Sequence, residues 1–357
     1  MNDYKILINQ ITSNKIREYK NSILEKRKKP GKYLTLNLKE IDLSNTSFED
    51  FTELLLNTKV PQIFAESQVM GDGSDWNLDE LSILGDISIA VPVKVFDNAL
   101  HVKPMLHSIP LDSVLIYTPG ALLENMRNQT PADWDEVVLN DHINQKAFYS
   151  LYERRLLPPF LYMNETCKQL KKQAIITIPG LGCGQFAGKF RGTLGNHLKE
   201  FLSFFLSKYV REFSNIKVVY YDPYNECSNE RVEIQHLVFL TRPLTQGNEN
   251  KPQLCYPVVY QDKGDNFSDL KHFSIVAWDH VSWAGNDFYI GSRVTDDGVK
   301  SASTNSMEIL TGFKGTYNAE EFKYLPPNPY QNWREVILKN NLKIDVNQTI
   351  YNSSKFL

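Results

Sequence analysis

Short runs of β-branched and aromatic residues alternate with stretches of helical periodicity from about residue 83 onward. Runs such as 87–95 (ISIAVPVKV) are typical of strands, whereas apolar residues three and four positions apart are typical of helices that bury one face. Because the two patterns alternate, the chain is predicted to have an α/β fold, with a mixed or parallel sheet and helices on both faces. We predict strands at 87–95, 114–117, 174–178, 216–221, 235–240, 256–260 and 273–277.

Helical periodicity recurs between these predicted strands. Pro158 and Pro159 are expected to end the helical region before them, since a proline inside a helix removes a hydrogen bond. Pro92 in the first strand indicates a sheet edge or a bulge. In such sheets, ligand sites lie beyond the carboxyl ends of the strands. Helices are predicted to begin near Pro131 and to cover 143–155, 164–171, 193–213 and 301–310.

Residues 1–59 differ from the rest of the chain because they are polar. The segment 15–29 carries a dense run of basic residues and is followed by Pro30-Gly31. Such runs are usually solvated helix faces, although a surface-binding arm has the same pattern. We therefore predict a polar, helical N-terminal extension at 1–59, a main domain at 60–340 and a C-terminal tail at 341–357.

The overall charge gives no reason to expect a nucleic acid or an anionic membrane as partner. The 357 residues are 42% hydrophobic and 23% charged, with a formal net charge of −3. An anionic ligand therefore has to be held by local groups. The chain begins without the apolar run of a secretory signal, and its apolar stretches are too short to span a bilayer. We predict no membrane or nucleic-acid partner and expect a monomer.

Four cysteines lie far apart in the chain, and no pair has the spacing of a zinc or redox site. Unremarkable reduced thiols are the simplest interpretation, which predicts a cytoplasmic location. A protein exported without a cleaved signal would have the same pattern. The cysteines are Cys167, Cys183, Cys227 and Cys255.

A glycine-rich loop follows the predicted strand at 174–178. Its sequence is PGLGCGQFAGKFRG, with glycines at positions 180, 182, 184 and 188. Glycines let the backbone turn sharply and approach a ligand closely. Exposed N–H groups beside the positive end of a helix suit a phosphate or a diphosphate. The loop is therefore predicted to bind an anionic group.

Three interpretations of this loop compete. A tight turn that only packs a helix on a strand is disfavoured by four glycines within nine residues. A dinucleotide-binding fold is suggested by G-x-G-x-x-A at 182–187, but it requires an acidic residue about 20 positions later. The strand-end acid, Asp222, lies about twice as far away. The third interpretation is a macrodomain, whose loop with proline and G-x-G-aromatic-x-G around the ADP-ribose diphosphate this sequence resembles, with Phe186 as the aromatic residue.

A second landmark is the aspartate-rich segment 278–297, which contains four aspartates, one histidine and two tryptophans. Asp279 is predicted to lie just past a strand, and Asp287 and Asp297 on the loops that follow. Aromatic faces can stack on a base or a guanidinium. The plain alternative is that these acids decorate surface turns, since Asp297-Gly298 is a common turn pair.

This segment is similar to that of the MavL-type macrodomain effectors, an atypical group of ADP-ribosylhydrolases. In that group, three aspartates spaced eight and ten residues apart are followed by D-G-V-K/R-x-A-x-T-N-S-M. Asp279, Asp287 and Asp297 have this spacing, and DGVKSASTNSM begins at Asp297. The resemblance covers about residues 60–330 and implies a three-layer α/β/α macrodomain-like fold. It also implies removal of ADP-ribose from arginine side chains of a modified protein, with ubiquitin as one candidate, and a bacterial effector exported into a host cell.

The resemblance implies site residues as well. Asp279, Asp287 and Asp297 would be catalytic or substrate-positioning, with no metal and no cofactor. Asp86 lies in a G-D-I sequence, which in ordinary macrodomains provides the aspartate that reads the adenine amino group. ADP-ribose binding is predicted for Asp86 and for the loop residues Gly180, Gly182, Cys183, Gly184, Gln185, Phe186 and Gly188.

An aspartate cluster suits cleavage of the C–N bond between ribose and arginine. One carboxylate can activate water and another can favour the positive charge that develops on the ribose. A third can hold the guanidinium through charge-assisted hydrogen bonds, and clustering should raise the pKa of at least one carboxyl group. Two other functions stay open: a non-catalytic ADP-ribose-binding module, and a metal-dependent phosphoesterase that uses the aspartates as Mg²⁺ ligands.

Several further residues are weaker candidates. His280 could orient an aspartate, and strand-end aromatic residues could line the pocket, although isolated histidines and such aromatics are more often packing residues. An additional acidic and aromatic cluster precedes the first predicted strand and has no assigned role. These candidates are Asp72, Asp75, Trp76, Tyr221, Tyr224 and His280.

Overall fold

The computed structural model describes residues 4–62, 75–124, 130–346 and 350–352. Its centre is a mixed sheet of nine strands, and two short strand pairs lie apart from it. The sheet contains β1 (Lys5–Ile8), β2 (Ser88–Asp97), β3 (Leu106–Pro119), β6 (Ala174–Pro179), β7 (Ile216–Asp222), β8 (Glu230–Ile234), β9 (Leu237–Thr241), β10 (Lys271–Trp278) and β13 (Ile350–Asn352). The short pairs are β4 (Val138–Leu139) with β5 (His142–Ile143), and β11 (Thr316–Asn318) with β12 (Lys323–Leu325).

The strand order is β13-β1-β2-β3-β10-β6-β7-β9-β8. Neighbours from β3 to β9 in this order run parallel, whereas β2 and β8 are antiparallel to their neighbours. The carboxyl ends of the parallel strands therefore meet at one edge of the sheet. The glycine loop follows β6 and the aspartate-rich segment follows β10. Because β6 and β10 are neighbours, the topology brings the two motifs together.

Helices cover both faces of the sheet, which is the predicted three-layer α/β/α arrangement. Residues of α6 and α7 share one core with Val114 and Ile116 of β3. The alternate residues Leu115 and Tyr117 belong to a second core, formed with most of the other helices. The helices are α1 (Gln10–Leu24), α2 (Lys32–Asn37), α3 (Phe48–Leu56), α4 (Leu78–Leu84), α5 (Trp134–Val137), α6 (Gln145–Leu170), α7 (Leu194–Lys208), α8 (Asp296–Ala302), α9 (Ser306–Thr311) and α10 (Trp333–Asn340). Short 3-10 helices cover Leu43–Asn45, Gln185–Phe190, Pro257–Tyr260 and Asn286–Ile290.

Most predicted strands are confirmed, including the central strand β6 that feeds the glycine loop. The strand predicted at 256–260 is wrong, because Pro257–Tyr260 forms a 3-10 helix. Tyr260 is fully buried there, and its hydroxyl donates to Pro252 O at 2.6 Å. Pro92 lies within β2, beyond the residues Ser88–Ala90 that pair with β1, and the irregularity in β2 comes later, between Val95 and Asp97.

Two helix predictions also need correction. Helix α6 continues through Pro158 and Pro159 to Leu170, because both prolines and the residues around them are buried in one core. The helix predicted at 301–310 is divided into α8 and α9. The break follows from side chains that bond to the backbone: Thr304 Oγ1 donates to Lys300 O, and Asn305 Oδ1 accepts from Lys94 N on β2.

The N-terminal segment is built into the sheet and its core. β1 lies between β13 and β2, and α1 and α3 contribute buried residues to the same core as Trp278 and Val281. Val60 pairs with Ser282, three residues after Asp279. Residues 1–59 therefore contribute a strand to the sheet in addition to the predicted helices. Within the described residues, no helix has the length and apolarity needed to cross a membrane.

Candidate active site

A cavity of about 800 Å³ opens where the parallel strands end. The ends of β6, β7 and β10, the glycine loop and the first turns of α8 contribute its walls. Both motifs predicted from the sequence reach it. The predicted residues on its walls are Gly180, Gly182, Cys183, Gly184, Gln185, Phe186, Asp279 and Asp297.

The first part of the glycine loop is fixed against the segment that follows β3. A Cβ atom at Gly120 would lie 2.3 Å from Gly182 N, and Gly182 itself has a φ of +73°. The Tyr152 hydroxyl of α6 donates to Leu181 O at 2.6 Å and accepts from Ala121 N at 3.1 Å. Glycine is therefore required at positions 120 and 182 so that two backbone segments can pass in contact.

The middle of the loop is open to the cavity. The N–H groups of Gly184, Gln185 and Phe186 donate to no atom of the part of the chain that the structure describes. A Cβ atom at Gly184 would meet no heavy atom within 4 Å. Phe186 O accepts from Leu123 N at 2.7 Å, which fixes the end of this stretch. Consecutive N–H groups without partners form a site suited to an anion.

Gly188 lies off the cavity wall and serves packing instead. It has a φ of +52°, and a Cβ atom there would lie 3.0 Å from Leu123 O. The structure thus separates the predicted loop residues into those from Gly180 to Phe186, which line the cavity, and Gly188, which lets the loop pass close to Leu123.

A carboxylate occupies the N-terminus of helix α7, which follows the loop. Glu226 accepts hydrogen bonds from Gly195 N at 2.6 Å and Gly192 N at 3.1 Å. This side chain, rather than a ligand, therefore satisfies the positive end of α7. The N–H groups left for an anionic ligand are those of the loop itself.

Asp279 follows β10 directly and is held by the turn that it begins. Its Oδ1 accepts from Val281 N at 2.7 Å and Ser282 N at 2.6 Å, and its Oδ2 accepts from the Ser282 hydroxyl. The side chain is on the cavity wall although the residue is only 4% exposed. Three donors from one turn fix a carboxylate in a single orientation.

Asp297 lies in the first turn of α8 and is also buried on the cavity wall. It accepts from Asn286 N at 2.9 Å, Thr295 Oγ1 at 2.7 Å and Gly298 N at 2.9 Å. Burial raises the pKa of this carboxyl group well above its usual value, and the negative charges of Asp279 and Asp287 raise it further. A carboxyl group in this environment can carry a proton at neutral pH.

Asp287 lies behind Asp297, in the 3-10 helix Asn286–Ile290. It accepts from Val294 N at 2.8 Å and contacts the Thr295 hydroxyl, whose single hydrogen is shared between Asp287 and Asp297. A Cβ atom at Gly298 would lie 1.7 Å from Asp287 Oδ1, so glycine is needed for this packing. Asp287 is not among the cavity-lining residues, and it acts on the cavity through Asp297.

A family model for the macrodomain effector MavL matches residues 4–330. The chain belongs to the MavL macrodomain effector family. The match includes the N-terminal segment that provides β1 and α1. Among curated proteins, none is significantly similar to the chain. Membership of this family indicates that the chain is a macrodomain that binds or processes ADP-ribose. This agrees with the anion-binding loop and the buried carboxylates that line one cavity.

The macrodomain cavity contains polar residues that the sequence motifs did not single out. Lys300 Nζ donates to Gln253 Oε1 at 2.8 Å and to Ile275 O at 2.7 Å, and lies 3.1 Å from Asp296 Oδ2. Burial lowers the pKa of Lys300, and Asp296 opposes this shift. Lys300 belongs to the segment 297–307 that carries the family resemblance, and Asp296 directly precedes that segment. Gln253 follows no recognisable motif.

The end of β7 contributes a second group. Asp222 Oδ1 accepts from Tyr224 N and Leu244 N, both at 2.8 Å, and burial raises its pKa. Tyr224 lines the cavity and is 61% exposed, with a φ of +61°. Tyr221 is a core residue whose hydroxyl donates to Gly195 O. Of the two candidate tyrosines, Tyr224 is therefore the one on the cavity.

Asp86, predicted to read the adenine base, is placed elsewhere. Its carboxylate is fully buried and lies 2.6 Å from Arg154 Nε, 2.8 Å from Lys15 Nζ and 3.3 Å from Arg155 Nε. It is not among the residues that line the cavity. Three cations use its two oxygens, so the G-D-I sequence here builds an internal ion network instead of the cavity wall.

The remaining candidates that the structure describes lie outside the cavity. His280 is fully buried with Nε2 3.3 Å from Asp133 Oδ2. Trp76 is buried and donates to Thr58 Oγ1, and Asp75 is 3.3 Å from Lys32. Asp72 lies outside the described residues. Within those residues, no group of three or more His, Cys, Asp or Glu side chains is placed to hold a metal ion.

Proposed function

We propose that this protein hydrolyses the bond between ADP-ribose and an arginine side chain of a modified protein. One observation carries the proposal: two buried carboxylates, Asp279 and Asp297, share a cavity with a loop whose successive N–H groups have no partner among the described residues. The loop suits the anionic diphosphate, and the carboxylates suit the cationic guanidinium. A protein that only binds ADP-ribose would not need the two buried carboxylates.

In this proposal, the diphosphate lies against Gly184, Gln185 and Phe186. Their N–H groups would donate to phosphate oxygens at a point where Gly184 leaves room for the ligand. The ribose bonded to arginine then extends toward the two carboxylates. Because Glu226 satisfies the end of α7, the backbone donors for the diphosphate come from the loop and not from the helix N-terminus.

The two carboxylates differ in the roles that their environments suit. Asp279 is held by three donors from its own turn and would accept a proton from the attacking water. Asp297, whose pKa is raised by burial and by its two neighbouring aspartates, would carry the proton for the leaving group. The oxygen of water bonds to the ribose carbon, and the electron pair of the broken C–N bond goes to the guanidine nitrogen. That nitrogen takes the proton of Asp297. Asp279 then releases the proton taken from water to solvent, and Asp297 takes up a proton from solvent, which restores the starting state.

Turnover of an arginine-ADP-ribosylated protein by single asparagine variants tests this mechanism. We expect Asp279→Asn and Asp297→Asn each to lower the rate by about 10²–10⁴-fold while ADP-ribose still binds, since general acid–base catalysis is worth that much. Asp287→Asn should have a smaller effect, because Asp287 reaches the cavity only through Asp297. Asp269→Asn is the matched control, since Asp269 is exposed and lies before β10, at the end of that strand opposite to Asp279.

The outcomes separate the alternatives. Binding of ADP-ribose with no turnover by the wild-type protein would leave only the binding-module function. Turnover that is abolished by a chelator would favour the metal-dependent phosphoesterase. Near-wild-type rates in both Asp279→Asn and Asp297→Asn would contradict the assigned catalytic residues.

The substrate protein is a separate part of the proposal. The family is one of effectors, so we propose that the protein is exported and acts on a protein of a host cell, with ubiquitin as the first candidate. Rates on arginine-ADP-ribosylated ubiquitin and on an unrelated protein carrying the same modification should be compared. Equal kcat/KM values would exclude selectivity for ubiquitin and leave the hydrolysis itself unaffected.

A further inference from the structure

A buried lysine lies directly behind the turn that carries Asp279. Lys59 follows α3 and is only 3% exposed. Its Nζ donates to His280 O at 2.7 Å and to Asp279 O at 3.4 Å, and lies 3.9 Å from the centre of the Trp278 ring. The ammonium group therefore contacts three successive residues at the end of β10.

The residue after Lys59 fixes the other half of the same turn. Val60 N donates to Val281 O at 3.0 Å, and Trp283 N donates to Val60 O at 2.8 Å. Val281 and Ser282 are the residues whose N–H groups hold the Asp279 carboxylate. The backbone that orients Asp279 is thus bonded on its far side to Lys59 and Val60.

Hydrogen bonds of the two preceding residues fix the position of Lys59. Thr58 Oγ1 donates to Leu55 O at 2.7 Å and accepts from Trp76 Nε1 at 3.0 Å. Asn57 Nδ2 donates to Ile344 O at 3.0 Å. The C-terminal end of α3 is therefore anchored to two other parts of the protein, so it can serve as a fixed support.

A buried charge at this position costs free energy, so the need to fill the space does not explain why the residue is a lysine. A methionine would fill a similar volume without having to remove an ammonium group from water. Burial lowers the pKa of Lys59 to about 7, and the negative charge of Asp279 opposes that shift. Asp279 is the charged group that acts on Lys59 among the described residues. Lys59 is therefore partly protonated at neutral pH, and its charge declines as pH rises through this value.

We propose that Lys59 is a positioning residue for Asp279, which holds the turn 278–282 in its working orientation through the carbonyl groups of Asp279 and His280. The proposal rests on the proposed function, in which the Asp279 carboxylate accepts the proton of water. It gives the N-terminal segment a part in the reaction, although that segment supplies none of the cavity-lining residues.

The test compares the wild-type protein with Lys59→Met across pH. At pH 6, we expect kcat to fall by about 10–10²-fold, because small displacements of a catalytic group have effects of that size. ADP-ribose affinity should not change, since the glycine loop is untouched. The ratio of wild-type to variant kcat should then decrease several-fold between pH 6 and pH 8.5, as the wild-type lysine loses its proton. A lysine that only fills space would give a ratio independent of pH.

Lys271→Met is the matched control. Lys271 Nζ also donates to a backbone carbonyl, that of Asp112 at 3.0 Å, but at the opposite end of β10. This variant should keep the wild-type kcat at every pH. If thermal unfolding shows that Lys59→Met is not folded, Lys59→Gln, which keeps a donor without the charge, takes its place in the same comparison.

The results distinguish this proposal from the proposed function. A wild-type protein without turnover contradicts the proposed function, whatever the variants do. An active wild-type protein with a pH-independent rate ratio, or with a ratio of one throughout, contradicts the role of Lys59 alone. Loss of ADP-ribose affinity in Lys59→Met would likewise contradict it, because the residue would then act on binding.

Discussion

Two glycines of the same loop should respond differently to an added side chain. A Cβ atom at Gly184 meets no heavy atom within 4 Å. We expect Gly184→Leu to remain folded and to lose ADP-ribose binding, because the side chain would occupy the space of the diphosphate. Calorimetry with ADP-ribose and thermal unfolding check both parts.

Gly188→Ala is the comparison for that variant. Its φ of +52° is one that residues with a Cβ atom rarely adopt, and the added Cβ atom would lie only 3.0 Å from Leu123 O. We expect it to lower the free energy of unfolding by about 1–3 kcal/mol. A Gly184→Leu protein with wild-type affinity would remove the loop N–H groups from the diphosphate site and would leave the role of Gly188 intact.

The sequence predicted the position of Asp279 well because it directly follows a strand. Asp297 lines the cavity, but it lies in the first turn of a helix and not on the predicted loop. Asp287 shows the limit of spacing as evidence. Residues eight and ten positions apart in irregular backbone have no fixed relative direction, so their spacing could not indicate that Asp287 packs under Gly298 and away from the cavity.

At the scale of elements, helix α6 shows how burial overrides a local signal. Two successive prolines predict a helix end because each removes a backbone hydrogen bond. The helix nevertheless continues to Leu170, with Leu156, Leu157 and Phe160 buried around the prolines. Such tertiary packing depends on α7 and the sheet, which lie far away in sequence. It could not be inferred from the residues near Pro158.

A buried ion network joins α1, α6 and the end of α4 through Asp86. Burial raises the pKa of Asp86, but the charges of Arg154, Lys15 and Arg155 outweigh it and the net shift is downward. We expect Asp86→Asn to lower the free energy of unfolding by about 3–5 kcal/mol, because it leaves buried cations without a counter-charge. Affinity of the folded protein for ADP-ribose should be unchanged, since Asp86 lies outside the cavity.

The pH dependence of this effect has a definite sign. A carboxyl group whose pKa is lowered by folding contributes stability above its unfolded pKa of about 4, and this contribution is lost as pH falls through the lower folded value. The stability difference between the wild-type protein and Asp86→Asn should therefore shrink in acid. Urea unfolding at pH 7 and below pH 4 measures it. Asp79→Asn, which removes an exposed pair with Lys28, should cost at most about 1 kcal/mol.

At the scale of the whole molecule, the parallel centre of the sheet could be predicted and its margins could not. Strands β6, β7 and β10 are apolar runs that lie between helices or before the site motifs, which is a strong local pattern. β1 is a four-residue strand in a polar segment, and its partners are β2 and β13, about 80 and 345 residues later. Pairing over such distances leaves no pattern in the local sequence.

Removal of residues 1–59 tests whether the N-terminal segment is part of the folded unit. Its buried apolar side chains pack in two hydrophobic cores of the protein, so removal of the segment would expose to water the apolar residues that they cover. These side chains are Tyr4, Ile6, Leu7, Ile8, Ile16, Tyr19, Leu34, Phe51, Leu55 and Leu56. We expect the shortened chain to show no cooperative unfolding transition. Supplying residues 1–62 as a separate chain should restore one, because β1 and α3 can then pack in their places. A shortened chain that unfolds cooperatively and binds ADP-ribose on its own would show that residues 60–340 form an independent domain.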